Sequence, residues 1–165
     1  MQTKSTQIFK QQISGARKIA ICGLVMAIYI VLMYYTQGFA FGQYQIRIAT
    51  SLYGLVALHP FLMVPLALSN LLSNMLLGGL GIYDTLGGFM VGIVTTSVVY
   101  LIRRFKLNDL FIAVPIIFGP GLIVPVWLSN ILNVPYNVLA LSLCIGQIVP
   151  SILGVILVKQ LRNKI

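Results

Sequence analysis

The chain has 165 residues, of which 59% are hydrophobic and only 8% charged, and its mean hydropathy is +0.99. Soluble domains carry about 25% charged residues, so this composition excludes an ordinary water-soluble enzyme; it also excludes a disordered chain, which would be polar and charge-rich. An integral membrane protein remains, a single all-α domain over residues 1–165 with room for about six or seven spans at ~20 residues each.

Eleven Lys and Arg stand against two Asp and no Glu, a net charge of +9. The excess is not a nucleic-acid signature. Ten of the eleven basic residues fall in three clusters at predicted membrane edges, where they set topology and can attract anionic lipid.

In chain order, residues 1–14 are polar and read as a short cytoplasmic arm. The first stretch, Ala16–Thr36, holds an apolar run from Ile19 to Tyr35 that follows Lys4, Lys10, Arg17 and Lys18; the run is too long for a signal-peptide core and reads as an uncleaved helix. A loop rich in Gly and Gln leads to the second stretch, Gln45–Leu58, which is short for a span and stops at His59-Pro60. The third runs from Phe61 to Leu77 and ends at Gly78-Gly79-Leu80-Gly81. The fourth, Ile82–Ile102, stops at Arg103, Arg104 and Lys106. The fifth, Leu110–Leu128, carries Pro115, Pro120 and Pro125; the sixth, Asn137–Val158, carries Pro150 and precedes Lys159, Arg162 and Lys164. Six spans with both termini cytoplasmic put every cluster on the inner side and leave Arg47 as the one outer basic residue, which topology does not explain.

No constellation for covalent catalysis is present. His59 stands alone at a turn, Cys22 and Cys144 lie in apolar runs without metal-ligand spacing, and there is no P-loop, so no cofactor is implied. The informative polar residues gather towards the outer side. Asn70 and Asn74 are four apart and share a helix face, with Ser69 and Ser73 beside them; Asp84 opens the fourth helix and Arg47 the second. Arg47 and Asp84 can pair with each other or snorkel to water, and the Asn/Ser group can be interhelical glue. Alternatively they form a polar pocket: an Asn amide donates and accepts along a heterocycle edge, a carboxylate accepts from its N–H groups, and Tyr44, Tyr83 or Trp127 stacks on its face. Asn130, Asn133 and Asn137 surround Pro135 and serve either as a lid or as turn formers. In the first helix Ala16, Ala20, Gly23 and Ala27 make a small-residue stripe, suited to a neighbouring helix of this chain or of another subunit.

From Gln45-Ile-Arg-Ile through Asn70 and Asn74 to Gly79-Leu-Gly-Ile-Tyr-Asp84 the chain resembles the QueT family. The resemblance implies a substrate-binding (S) component of an energy-coupling-factor (ECF) transporter: a six-helix bundle that binds a queuosine precursor, a 7-deazaguanine base or queuine, near the outer face. It further implies docking, through an A-x-x-x-A motif matched by Ala16 and Ala20, on a transmembrane coupling subunit that carries two cytoplasmic ATPases. Arg47, Asn70, Asn74 and Asp84 match the family pattern, which makes them substrate residues, with Tyr83 or Trp127 as the stacking ring. One departure stands out. The family often has an acidic residue soon after the arginine, where this chain has Thr50 and Ser51. Either Asp84 does both jobs, or the ligand is another vitamin or purine-like nutrient. A membrane scaffold is the reading outside transport by binding; an ion-coupled carrier is disfavoured by the scarcity of ionisable residues in the spans.

Overall fold

A computed structural model describes residues 14–78 and 80–164. The predicted N-terminal arm, with Lys4 and Lys10, therefore lies outside the described residues apart from Ser14, as does Gly79. Among the described residues there is no strand. The helices are α1 (Gly15–Tyr35), α2 (Gln37–Ala40), a 3-10 helix (Ile48–Ala57), a short 3-10 turn (Pro60–Leu62), α3 (Met63–Ser73) continued by a π-helical turn (Asn74–Gly78), α4 (Ile82–Arg104), a second 3-10 turn (Asp109–Ile112), α5 (Ala113–Ile123), α6 (Pro125–Leu132), α7 (Tyr136–Gly146) and α8 (Ile148–Arg162).

Grouped across their kinks, these give five helices long and apolar enough to cross a membrane: Gly15–Tyr35, Pro60–Gly78, Ile82–Arg104, Asp109–Leu132 and Tyr136–Arg162. In a bilayer each backbone N–H must find its partner inside the protein, so apolar runs of this length become helices. The breaks fall where the sequence removes a donor or loosens the backbone. Val124-Pro125 separates α5 from α6, and α7 ends at Gly146, whose carbonyl finds no N–H on Pro150 four residues later, so that Gln147 joins α7 to α8.

The second predicted span, Gln45–Leu58, takes another form. Ile48–Ala57 is a 3-10 helix of 10 residues, and from Ala49 to Ala57 every residue is buried. At about 2.0 Å per residue it covers roughly 20 Å, more than an α-helix of equal length but less than the ~30 Å hydrocarbon core. It can be short because protein surrounds it: α1, α4 and α8 all pack against it. Gly54 and Gly154 allow this approach, since a Cβ on Gly54 would lie 3.1 Å from the Gly154 carbonyl oxygen. The segment ends before Pro60, and α3 starts afresh beyond it.

The main core gathers Tyr29, Met33, Tyr53, Leu62, Leu66 and Ile116 around this central helix. A smaller core of Val91, Val124, Leu128, Leu139 and Leu143 lies where α4, α5, α6 and α7 meet. Outside, each long helix exposes large apolar residues such as Leu24, Val64, Met90, Phe118 and Ile152, a surface suited to lipid.

The basic clusters meet at one end. His59, Arg103 and Arg162 line one pocket, the His59 ring lies 5.4 Å from Phe61, and Lys18 Nζ sits 6.0 Å from the same Phe61 ring. The start of α1, the turn before α3 and the ends of α4 and α8 thus share this end, as the charge pattern predicts for the described clusters.

Candidate functional site

Arg47 precedes the buried 3-10 helix, and the chain holds it inside the protein at 3% exposure. Its Nε donates to the Ala40 carbonyl (3.3 Å), and its Nη1 donates to Asn70 Oδ1 (3.2 Å) and Asn74 Oδ1 (3.0 Å). The Phe41 ring centre lies 5.0 Å from the guanidinium carbon, within cation–π range. Nη2 is buried without a hydrogen-bond partner among the described residues.

Asp84 sits in the first turn of α4, where the helix dipole favours a negative charge. Gly81, just before the helix, has φ 85°, a conformation open to glycine at little cost. The carboxylate is 1% exposed. Oδ1 accepts from the Trp127 indole N–H (3.2 Å), while Oδ2 is buried with no partner among the described residues. The sequence left open whether Arg47 and Asp84 pair or reach water. They do neither: both are buried, and the one ion pair among the described residues is Arg162–Asp109.

Asn70 and Asn74 tie the two charges together indirectly. Asn70 Nδ2 donates to the Gly88 carbonyl (2.8 Å) and Asn74 Nδ2 to the Asp84 carbonyl (3.0 Å), while both side-chain oxygens face Arg47. Each amide therefore fixes Arg47 against α4, and has one N–H and one lone pair left over. This requires α3 and α4 to lie close. A Cβ on Gly88 would collide with the Asn74 amide, and one on Gly87 would collide with the Trp127 ring. Asn74 also begins the π-helical turn, a distortion frequent at functional sites. Ser69 and Ser73 instead bond carbonyls of their own helix, Pro65 and Ser69 respectively.

The aromatic candidates stand further out. Tyr83 is 73% exposed and lines an outer groove with Val126, Trp127, Asn130 and Ile131. Trp127 belongs to both regions, its ring in the groove and its N–H on Asp84. Tyr44 is exposed, with its carbonyl packed against Gly146. Asn133 takes the left-handed conformation (φ 53°) that ends α6, which is turn chemistry, and Asn137 is exposed in the first turn of α7.

A cavity of about 370 Å³ opens beside the buried charges, lined among others by Phe41, Gln43, Gln45, Leu80, Leu128 and Ser142. This is the lower part of the range for small-ligand sites. Neither Arg47 nor Asp84 lines it; Phe41, which touches both the guanidinium and the cavity, stands between. The 41–45 segment is pinned by Ser142, which donates to the Gln43 carbonyl (2.9 Å), and by Gln147 Nε2, which donates to the Gln45 carbonyl (2.8 Å). Thr50 Oγ1 lies 2.7 Å from the Arg47 carbonyl and 2.8 Å from Gln147 Oε1, so its single proton serves one of them at a time. Sequence reasoning named Gln45 only within the Gln45-Ile-Arg-Ile run and did not single out Phe41 or Gln147. An isolated Gln in an apolar run was the available signal for the last.

Ala16, Ala20, Gly23 and Ala27 are all exposed on α1, whose buried face is Val25, Tyr29 and Met33. No helix among the described residues covers the stripe, and a Cβ at Gly23 would meet nothing within 4 Å.

The bundle thus combines lipid-suited outer faces with two buried charges, each with one unbonded atom among the described residues, near a small cavity, an architecture of the membrane-protein class. The chain belongs to the QueT transporter family, whose model matches residues 19–163. This family is the S component of ECF transporters, as the sequence resemblance implied. No curated protein and no solved structure matches the chain.

Proposed function

We propose that the chain binds a queuosine precursor, a 7-deazaguanine base or queuine, at the outer face of the membrane and delivers it to an ECF importer. The observation that carries this reading is the pair of unpartnered atoms, Arg47 Nη2 and Asp84 Oδ2, buried beside a small cavity. A 7-deazaguanine edge sets a carbonyl next to an N–H and an amino group. Once the Phe41 ring turns aside from the cavity wall, the guanidinium donates to the carbonyl and the carboxylate accepts from the N–H groups, both as charge-assisted bonds in a dry site. Asn70 and Asn74 hold Arg47 in place and offer their remaining amide valences to the ligand. Trp127, or Tyr83 beside it, supplies the stacking face.

Uptake needs a transmembrane coupling subunit and two cytoplasmic ATPases. The uncovered stripe of Ala16, Ala20, Gly23 and Ala27 is the proposed docking face, and the basic end of the bundle is the proposed cytoplasmic side. The test is a binding titration on the purified protein without any ATPase, using queuine, 7-deazaguanine precursors and guanine as a control. Saturable binding of one deazaguanine supports the assignment; a folded protein that binds none of them refutes it.

One observation favours a second ligand within the same class. Thr50, where the family often has an acid, spends its hydroxyl on Gln147 and the backbone, so Asp84 is the one carboxylate near Arg47's end of the bundle. A vitamin or purine-like nutrient with fewer N–H donors suits that count. A scaffold reading draws on the interhelical bonds of Asn70 and Asn74. Alanine at either position would then damage folding, whereas a binding site predicts lost binding in a folded protein.

A further inference from the structure

We propose that the basic end of the bundle contains a specific seat for the phosphodiester headgroup of an anionic phospholipid, formed by Arg103 and His59. The seat is a cavity of about 260 Å³ lined by Ala57, Leu58, His59, Arg103 and Arg162. Its polar side chains come from three separate parts of the chain: His59 from the turn before α3, Arg103 from the end of α4 and Arg162 from the end of α8.

Charge balance gives the argument its force. Arg162 Nη2 already forms an ion pair with Asp109 Oδ1 at 2.6 Å, although neither its Nε nor its Nη2 has a well-aligned hydrogen-bond partner among the described residues. The whole chain has only one other acidic side chain, Asp84, which is buried against Trp127. Hence no carboxylate side chain of this chain remains for the exposed Arg103, and an anion from outside can neutralise it where it lines the cavity. Lys18 Nζ, over the Phe61 ring against which His59 packs, adds to the positive field.

The anion best matched is a phosphodiester. It carries a single negative charge, the amount Arg103 leaves uncompensated. Its two free oxygens accept from a planar guanidinium and from an imidazole N–H. The helix ends put the cavity at headgroup level, where basic pockets between helices collect anionic lipid. Inorganic phosphate shares the anion chemistry, but the apolar half of the cavity, Ala57 and Leu58, has a use only for the glycerol and first methylenes of a lipid.

The test uses the full chain, purified, stripped of lipid and mixed with phosphatidylglycerol or phosphatidylcholine in matched micelles; a third arm adds inorganic phosphate alone. Lipid retained per protein is read by intact-protein mass spectrometry, and the melting midpoint is read in parallel. Phosphatidylglycerol is expected to be retained singly and to raise the midpoint, while the other two arms do not. Arg103→Gln is expected to cut that retention by about tenfold, as loss of a charge-assisted contact does. His59→Gln reduces it less, and Arg104→Gln, a neighbouring cation outside the cavity, leaves it unchanged. Both arginines are exposed, so the lipid-free variants should melt like the parent. An equal effect of Arg104→Gln would reduce the seat to diffuse surface attraction. Equal protection by inorganic phosphate, or equal retention of phosphatidylcholine, would also overturn the proposal. None of these outcomes depends on the nutrient site at the other end.

Discussion

A buried arginine and a buried aspartate that do not pair are costly, since each charge has left water without a counter-charge to replace it. Arg47 and Asp84 offset part of that cost through neutral partners: amide oxygens, a carbonyl and a ring face for the arginine, an indole N–H and a helix N-terminus for the aspartate. Among the described residues one atom on each side remains unmet, and under the proposed function a ligand with an acceptor beside a donor satisfies both. Asp84→Asn keeps the size and an oxygen for Trp127 but removes the charge. Binding is expected to weaken by at least about tenfold in calorimetry, with the protein still folded; wild-type affinity would remove Asp84 from the site. Trp127→Phe should cost less, a few-fold, because it releases Oδ1 without removing the carboxylate. An unchanged titration would mean that the indole N–H does not position Asp84 for the ligand.

At the scale of elements, the site depends on how closely α3 and α4 approach. Gly88 is the tightest point, where a methyl group would strike the Asn74 amide that holds both Arg47 and the Asp84 backbone. Gly88→Ala is therefore expected to destabilise the protein by about 1–3 kcal/mol, the usual range for overpacking, and to weaken ligand binding together with the fold. Denaturation in detergent compared with a titration on the same sample checks both effects. Helix α1 predicts the opposite separation. Its small-residue stripe is exposed, so Ala20→Leu should leave binding by the isolated protein unchanged. Uptake by cells that carry the whole transporter should fall, because a bulky side chain keeps a partner helix at a distance. Loss of binding in this variant would contradict the division of labour between α1 and the α3–α4 site.

For the whole molecule, the bonds that close the bundle span long stretches of chain. Thr50 and Gln147 are 97 residues apart and each is 1% exposed, and Gln147 also reaches the Gln45 carbonyl. Thr50→Val preserves shape but leaves the buried Gln147 oxygen unpaired, which is expected to cost about 1–3 kcal/mol. Thermal unfolding of the purified variant measures it, and an unchanged midpoint would show that the hydroxyl contributes nothing net.

Much of this protein is legible in one dimension. Apolar run lengths mark α1, α4 and the other long spans within a few residues, because a bilayer admits helices and rejects unpaired backbone. The Lys and Arg clusters foretell a common end, because charges avoid hydrocarbon, and Arg47 and Asp84 stand out as charges in apolar stretches for the same reason. These are properties of each segment against its solvent. Tertiary structure decided the rest. It made residues 48–57 a central 3-10 helix, since burial by neighbours removes the need to span lipid. It turned Asn70 and Asn74 towards Arg47, moved Tyr83 to an outer groove, and brought in Phe41 and Gln147. Such choices depend on which helix faces which, and the partners lie up to about a hundred residues away, where the local pattern that fixes a helix carries no information.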